Sequence, residues 1–83
     1  MYLDPISLRF FISVLEEGTI AGAAEREHIA AAAISKRISE LEGVLKTNLL
    51  IRTNKGIKPT TAGIALSSMA RSALHSLVSR LVN

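Results

Sequence analysis

The stretch from Thr19 to Lys46 reads TIAGAAEREHIAAAAISKRISELEGVLK and holds two helical patterns with almost no linker between them. In the second pattern Ile34, Ile38 and Leu41, followed by Leu45, recur at helical spacing and form one apolar stripe. The opposite face carries small side chains and a lysine, at Ala32, Lys36, Ser39 and Gly43. A slender face of this kind fits the major groove of DNA. The stretch predicts a helix-turn-helix whose second helix buries the isoleucine stripe.

Charge is distributed unevenly along the chain. Residues 1–35 hold five acidic and two basic side chains, whereas residues 36–83 hold two acidic and eight basic ones. A basic half favours a polyanionic partner, and double-stranded DNA is the partner we predict. The 83 residues form one domain at most and bury a modest core, so a protein partner is expected as well.

Several classes of protein are excluded by what the sequence lacks. It has no cysteine, which excludes disulfides and thiolate metal sites and suits a reducing cytoplasm, the location we predict. It has no secretory signal and no apolar run long enough to span a membrane. His28 and His75 are not placed to share a metal, and no cofactor is predicted. Without a nucleophile beside a histidine, a phosphate loop or paired carboxylates, we predict no enzyme.

The first helix is predicted to begin at Asp4-Pro5 and to end at Gly18. Its expected inward residues are Ile6, Phe10, Phe11, Val14 and Leu15. Thr19 is the predicted cap of the second helix, which runs to about Glu27. Glu27 is difficult to place, because it falls on the side expected to be buried and near a helix C-terminus that disfavours negative charge. It either lies at the domain edge or pairs with a basic residue that the sequence does not identify.

The third helix is predicted over about Ala31 to Leu45. Ala30 supplies no capping oxygen, and Gly43 weakens the helix; each costs about 1 kcal/mol. The isoleucine and leucine stripe is therefore expected to hold this helix in place.

Two short strands, Leu49 to Ile51 and Ile57 to Pro59, are predicted around a turn at Thr53 to Gly56. Three cations lie on or beside this hairpin, at Arg52, Lys55 and Lys58. A short cationic wing suits phosphates or a minor groove. The alternative is a solvated hairpin with incidental charge.

The last helix is predicted to follow Pro59, with Thr60 or Thr61 as its cap, and to continue almost to Asn83. A seam spaced four, three and four residues apart predicts a homodimer through this helix; its members are Ala70, Leu74, Leu77 and Leu81. Nearer the domain, three apolar residues are expected to close the core: Ile64, Leu66 and Met69. This organisation divides the chain into a winged helix-turn-helix over residues 1–60 and a dimerisation helix over residues 61–83. The predicted fold is mainly α.

The order of these elements and several local strings resemble the N-terminal DNA-binding domain of LysR-type transcriptional regulators. The strings include FISVLEEG at 11–18, ISKRI at 34–38, LLIRT at 49–53 and PTTAG at 59–63. The resemblance implies a winged helix-turn-helix that dimerises through its last helix and binds an interrupted palindrome in promoter DNA. Such regulators usually carry a larger C-terminal effector domain, which this sequence lacks. We therefore expect a shortened chain that does not sense a ligand in the usual way, and leave open whether dimers pair further in a longer protein.

The chain departs from the family pattern at the start of the third helix. The family commonly has Ser-Gln-Pro-Ala where this chain has four alanines at residues 30–33. The glutamine at the position of Ala31 often reaches a base edge, whereas alanine offers only a methyl contact to thymine. Lys36 replaces a more frequent arginine and lacks its planar fork. Glu27 replaces a usual leucine.

Ten residues are predicted to contact DNA. Ser35 and Lys36 are expected to face bases, and four cations to contact phosphate or the minor groove: Arg37, Arg52, Lys55 and Lys58. The remaining members are Thr19, Ala31, Ala32 and Ser39. The alternative function is a winged-helix protein-interaction module that has lost DNA binding. The alanine tract favours the alternative slightly, and the separate basic half favours DNA more strongly.

Overall fold

Four helices and one hairpin make up the part of the chain that the computed structural model describes, residues 3–82. They follow the order α1 (Pro5–Glu17), α2 (Ile20–Glu27), α3 (Ala31–Leu45), β1 (Leu50–Thr53), β2 (Gly56–Pro59) and α4 (Thr61–Val82). The expected mainly α, winged arrangement is confirmed. The winged helix-turn-helix predicted over residues 1–60 and the dimerisation helix predicted over residues 61–83 include residues 1, 2 and 83, which lie outside the described residues. No helix within residues 3–82 has both the length and the apolar character that a membrane span requires.

The ends of α1 and α2 form where local chemistry predicts them. The Asp4 carboxylate accepts a hydrogen bond from the Ile6 amide at 3.1 Å and caps α1. Gly18 ends this helix in the left-handed conformation, with φ = 80°. The Thr19 hydroxyl then accepts from the Gly22 amide at 2.9 Å and caps α2. The sharp change of direction between α1 and α2 is thus encoded in Gly18-Thr19.

The core consists of two apolar clusters, and α3 contributes to both. The first joins α1, α2 and α3 through Phe10, Val14, Ala23, Ala24, Ile34 and Ile38. The second joins α1, α3, the chain just before β1, and α4 through Phe11, Leu41, Leu49 and Leu66. Because α3 has no side-chain cap, as predicted, burial of its stripe is the main force that keeps it in place. The expected orientation of α3 is confirmed.

Three residues expected in the core are exposed instead. Ile6 is exposed because the inward face of α1 runs through Ser7, Phe10, Phe11 and Val14, which leaves position 6 one residue off the stripe. The same reason applies in α4, where the buried face consists of Gly63, Leu66, Ser67 and Ala70. Ile64 and Met69 therefore lie off this face and are exposed. The expectations for Ile6, Ile64 and Met69 were wrong.

The hairpin is a two-stranded antiparallel sheet in which Leu50 pairs with Pro59 and Thr53 with Gly56. Its strands extend further toward the turn than predicted, since β1 ends at Thr53 and β2 begins at Gly56. The Ile57 amide donates a hydrogen bond to the Gly18 carbonyl at 2.9 Å, which fixes the hairpin to the turn between α1 and α2. Gly56 has φ = 117°, and a Cβ added there would lie 2.9 Å from the same carbonyl oxygen. Glycine is therefore required at this contact.

Candidate nucleic-acid interface

The outer face of α3 is the centre of the candidate interface. It consists of Ala31, Ala32, Ser35, Lys36 and Ser39, which we call the recognition face. Ser35 is half-buried and the other four are exposed. The buried stripe of α3 lies on the opposite side, and the recognition face itself consists only of small polar or apolar groups and one cation.

A cleft of about 200 Å³ separates α3 from the hairpin and brings together residues predicted from different elements. Ser35 and Ser39 border it from α3, and Arg52 borders it from β1. Its remaining lining is Ile20, Ile38, Glu42, Leu50 and Ile57. Thr19 lies close to this region, because a neighbouring groove is bordered by Thr19 and by Arg52. Its hydroxyl also caps α2, so Thr19 has a structural role in addition to its predicted one.

The three cations of the hairpin do not share one face. Arg52 pairs across the sheet with Ile57, and Ile57 packs against the core, so Arg52 lies on the side that faces α2 and α3. Lys58 pairs with exposed Ile51 on the opposite side. Lys55 is at the turn. The hairpin therefore offers one cation beside the recognition face, one at its tip and one on its outer side.

Arg37 lies apart from the recognition face. Positions 35 and 37 are separated by about 200° around an α-helix. The Arg37 guanidinium forms an ion pair with the Asp4 carboxylate at the start of α1. Both side chains remain partly exposed. Among the four cations predicted to contact phosphate, Arg37 is thus the one that forms an ion pair within the domain.

The hairpin is held in place by Glu42, which sequence reasoning missed, and by Thr60, one of the two predicted caps of the last helix. The Glu42 carboxylate accepts from the backbone amides of Leu49 at 2.7 Å and Leu50 at 3.4 Å. The Thr60 hydroxyl accepts from the Gly63 amide at 3.0 Å, which caps α4. It also donates to the backbone carbonyl of Asn48 at 2.7 Å. The cap role of Thr60 was one of two predicted options, but no periodic signal indicates the contacts of Glu42, because its partners lie seven and eight residues further along the chain, beyond the end of α3.

The structure identifies the basic partner of Glu27 as Arg9. The Glu27 side chain is only 4% exposed, and its carboxylate lies 2.7 Å from the Arg9 guanidinium. The Ser13 hydroxyl donates to the same carboxylate, and Arg26 lies 3.8 Å away. The Ser13 hydrogen bond is the main reason that the pKa of Glu27 is lowered, with a further contribution from Arg9, although burial opposes it.

Ion pairs continue from this site to α4. Arg26 lies 2.7 Å from the Glu16 carboxylate and 3.4 Å from that of Glu17. Arg71 of α4 lies 3.4 Å from Glu16. Together with the Glu27 contacts, these pairs connect α1, α2 and α4 and involve no residue of the recognition face.

The predicted seam of α4 is divided between two environments. Ala70 is buried against the domain and Leu74 is half-buried. Leu77 and Leu81 are 55% and 78% exposed, and they adjoin two further exposed apolar residues, Val78 and Val82. The seam is therefore the outward continuation of the face by which α4 packs on its own domain. Ala70 offers little surface to a second chain.

Within residues 3–82, no group of three or more histidine, cysteine or acidic side chains is placed to hold a metal ion. The helical core, the exposed recognition face and the adjoining hairpin define a winged helix-turn-helix protein. Residues 6–64 match the sequence profile of the family described as bacterial regulatory helix-turn-helix protein, lysR family. The chain belongs to this family.

Individual relatives agree with this assignment. The chain is 43% identical over 68 residues to the nitrogen assimilation regulatory protein nac of Escherichia coli (strain K12), a match that covers 82% of this chain and 22% of the relative. Its structure is similar to that of a CbnR DBD–DNA complex, with a TM-score of 0.85 and 37% identity over 94% of this chain and 88% of the other. A BenM DBD/benA site 1 DNA complex gives a TM-score of 0.87 and 32% identity over 96% and 92%. This chain thus spans less than a quarter of the length of the nac protein.

Proposed function

We propose that this chain is the DNA-binding part of a bacterial transcriptional regulator and that it binds double-stranded DNA as a homodimer. The observation that carries the proposal is the orientation of α3. Ile34, Ile38 and Leu41 are buried, which leaves Lys36 and the small side chains of the recognition face toward solvent. A helix with this outer surface can lie deep in a major groove, because no bulky side chain holds it away from the base edges.

The hairpin supports the same function. Arg52 borders the cleft beside Ser35 and Ser39, so a duplex that enters along α3 would meet a cation on the wing. Lys55 at the exposed turn is free to reach a phosphate or the minor groove next to it. Lys58 lies on the outer side, where it adds positive charge without facing α3.

The homodimer is supported by the exposed apolar surface at the end of α4. Leu77, Val78, Leu81 and Val82 are all more than half exposed. A second copy of α4 would cover this surface and place two recognition faces on one duplex, as dimeric helix-turn-helix proteins require. The similar CbnR and BenM domains form complexes with DNA, which favours this proposal. A regulator of this kind acts on chromosomal DNA, so we place it in the cytoplasm and assign it no enzymatic activity.

A second candidate function is a protein-interaction module. The alanines at the start of α3 favour it, because Ala31 and Ala32 are exposed and offer no hydrogen-bonding side chain to a base. In such a module the end of α4 would bind another protein, and the recognition face would stay in solvent.

Titration of labelled random-sequence duplex DNA at a series of salt concentrations separates the two functions. A DNA-binding domain should bind at low salt and lose affinity steeply as salt rises, because each neutralised phosphate releases counterion. A duplex selected from a random pool should then bind more tightly than the random duplex. The absence of binding at low salt would exclude the DNA function and leave the interaction module.

A further inference from the structure

The ion pair between Arg37 and Asp4 gives Arg37 a role other than the one its charge suggests. We infer that Arg37 is a positioning residue for DNA recognition: its link to Asp4 adds to the buried stripe of α3 a polar contact that opposes rotation of α3 against α1, and it does not contact phosphate. This inference rests on the proposed function and deepens it, because it says which cation of α3 acts on the DNA directly and which acts through the fold.

Asp4 is held in place by contacts within α1 that do not involve Arg37. One carboxylate oxygen accepts from the Ile6 amide and thereby caps α1. The other accepts from the hydroxyl of Ser7, which is buried, at 3.3 Å. The Arg37 guanidinium binds this second oxygen. The carboxylate is therefore held by the first turn of α1 and offers a fixed attachment point to α3.

The place of Arg37 along α3 makes the contact effective. The helix begins without a side-chain cap and contains Gly43 in its later part, so its own ends restrain it weakly. Arg37 lies near the middle of Ala31–Leu45, where a link to α1 opposes rotation about the helix axis. Such a rotation would redirect Ser35 and Lys36, and small changes of direction decide whether a side chain reaches a base edge.

The surroundings of Arg37 separate it from the proposed DNA surface. Its groove is bordered by Asp4, Ser7, Glu40, Leu41 and Val44. None of these borders the cleft that contains Ser35 and Arg52. Arg37 is therefore turned by about 200° from Ser35 and Ser39 and by about 100° from Lys36, away from a phosphate that approaches the recognition face.

The test compares Arg37→Ala, Asp4→Ser and the double variant with Lys55→Ala. Serine keeps a capping oxygen at position 4 but removes the charge that binds Arg37, so α1 stays capped. Fluorescence anisotropy gives the affinity for a duplex selected from a random pool and for a random duplex, each over a range of salt, below the melting temperature of every variant. The ratio of the two affinities reports specificity, and the salt dependence reports phosphate contacts.

Both single variants should lower the specific-to-random ratio by about two- to fivefold, the size expected for a partly exposed ion pair. Their salt slopes should equal that of the unchanged chain, and the double variant should lose no more than either single one. Arg37→Lys should keep part of the ratio. Lys55→Ala should weaken both duplexes alike and reduce the slope by about one.

Two results would overturn the inference while leaving the proposed function intact. One is a salt slope reduced by about one in Arg37→Ala, which would make Arg37 a phosphate contact. The other is an unchanged ratio of specific to random affinity in Arg37→Ala or Asp4→Ser. This result would overturn the inference even if the melting temperature of the variant fell. If the unchanged chain bound neither duplex, the proposed function itself would be wrong, and the inference would be overturned with it.

Discussion

The guanidinium of Arg9 lies 2.7 Å from the carboxylate of Glu27 and joins α1 to the last residue of α2. The two partners differ in environment, since the Arg9 side chain is 67% exposed and that of Glu27 is 4% exposed. Loss of the cation would leave a buried anion with fewer partners. Loss of the anion would leave a cation that water already solvates. The two halves of one ion pair should therefore respond differently to mutation.

Arg9→Ala should lower the free energy of unfolding by about 1–3 kcal/mol, the cost of a buried charged group that loses a partner. Glu27→Leu should be neutral or stabilising, because leucine suits a buried site and removes a negative charge from a helix C-terminus. The Ser13 hydroxyl can then donate to the backbone carbonyl one turn earlier in α1. Urea unfolding followed by circular dichroism measures both changes. A Glu27→Leu variant less stable than Arg9→Ala would contradict this account.

The lowered pKa of Glu27 predicts a loss of stability in acid. Because the folded pKa lies below the unfolded one, ionised Glu27 stabilises the fold fully above the unfolded pKa, and this contribution disappears as pH falls through the folded pKa. The effect should thus appear below about pH 4. Glu27→Gln should unfold with a flatter pH dependence in this range, measured as the urea midpoint against pH. Glu25→Gln, which removes an exposed carboxylate from the same helix, is the control.

Gly63 and Gly43 should respond to alanine with opposite signs. A Cβ at Gly63 would overlap the Leu49 carbonyl oxygen and lie 3.3 Å from Pro59 Cβ, so α4 would have to move away from the start of the hairpin. The expected cost is about 1–3 kcal/mol, which exceeds the gain in helix propensity. Nothing lies within 4 Å of a Cβ at Gly43, so the propensity gain of about 1 kcal/mol should remain. Thermal melting would contradict the packing argument if Gly63→Ala melted at or above the unchanged chain.

The successes and failures of sequence reasoning have a common physical cause. Helical spacing correctly predicted that Ile34, Ile38 and Leu41 share a buried face, because the opposite face of α3 carries only small side chains and a lysine. In α4 apolar residues occur around most of the helix, so spacing did not determine which of them face the domain. The close approach of Gly63 to the backbone before β1 determines which side of α4 faces the domain, and it leaves Ile64 exposed. That approach is a property of the assembled fold.

Contacts between residues far apart in the sequence could not be predicted for the same reason. Glu27 was correctly identified as anomalous from its place at the end of α2, but its partner Arg9 lies on another helix. The ion pair of Arg37 with Asp4, thirty-three positions away, was not predicted, because nothing in the local pattern relates the two residues. Cap residues such as Asp4 and Thr19 were predicted well, since the amides they bind lie two or three residues further along the chain.

The exposed end of α4 predicts how a single charge would change the assembly. Leu77→Glu should convert the proposed dimer to a monomer, because the carboxylate would be buried against a second apolar helix. Ser76→Glu, at an exposed polar neighbour, should leave the dimer intact. Light scattering at tens of micromolar reports the mass of each. A monomeric unchanged chain under these conditions would contradict the homodimer.

Lys36 and Lys46 allow the role of the recognition face to be separated from that of total charge. Both are exposed on α3 or at its end, but only Lys36 lies on the recognition face; Lys46 is the C-cap, with φ = 55°. Lys36→Ala should weaken binding to a selected duplex by about fivefold or more, because a cation facing the base edges contributes about 1 kcal/mol or more to discrimination.

Lys46→Asn removes the same charge and suits the left-handed backbone at this position, so it is the matched control. It should change affinity only slightly, and by the same factor for selected and random duplexes. Equal losses in the two variants would mean that overall charge drives binding. If Lys36→Ala bound the selected duplex as tightly as the unchanged chain, the DNA would have to meet a different surface from the outer side of α3.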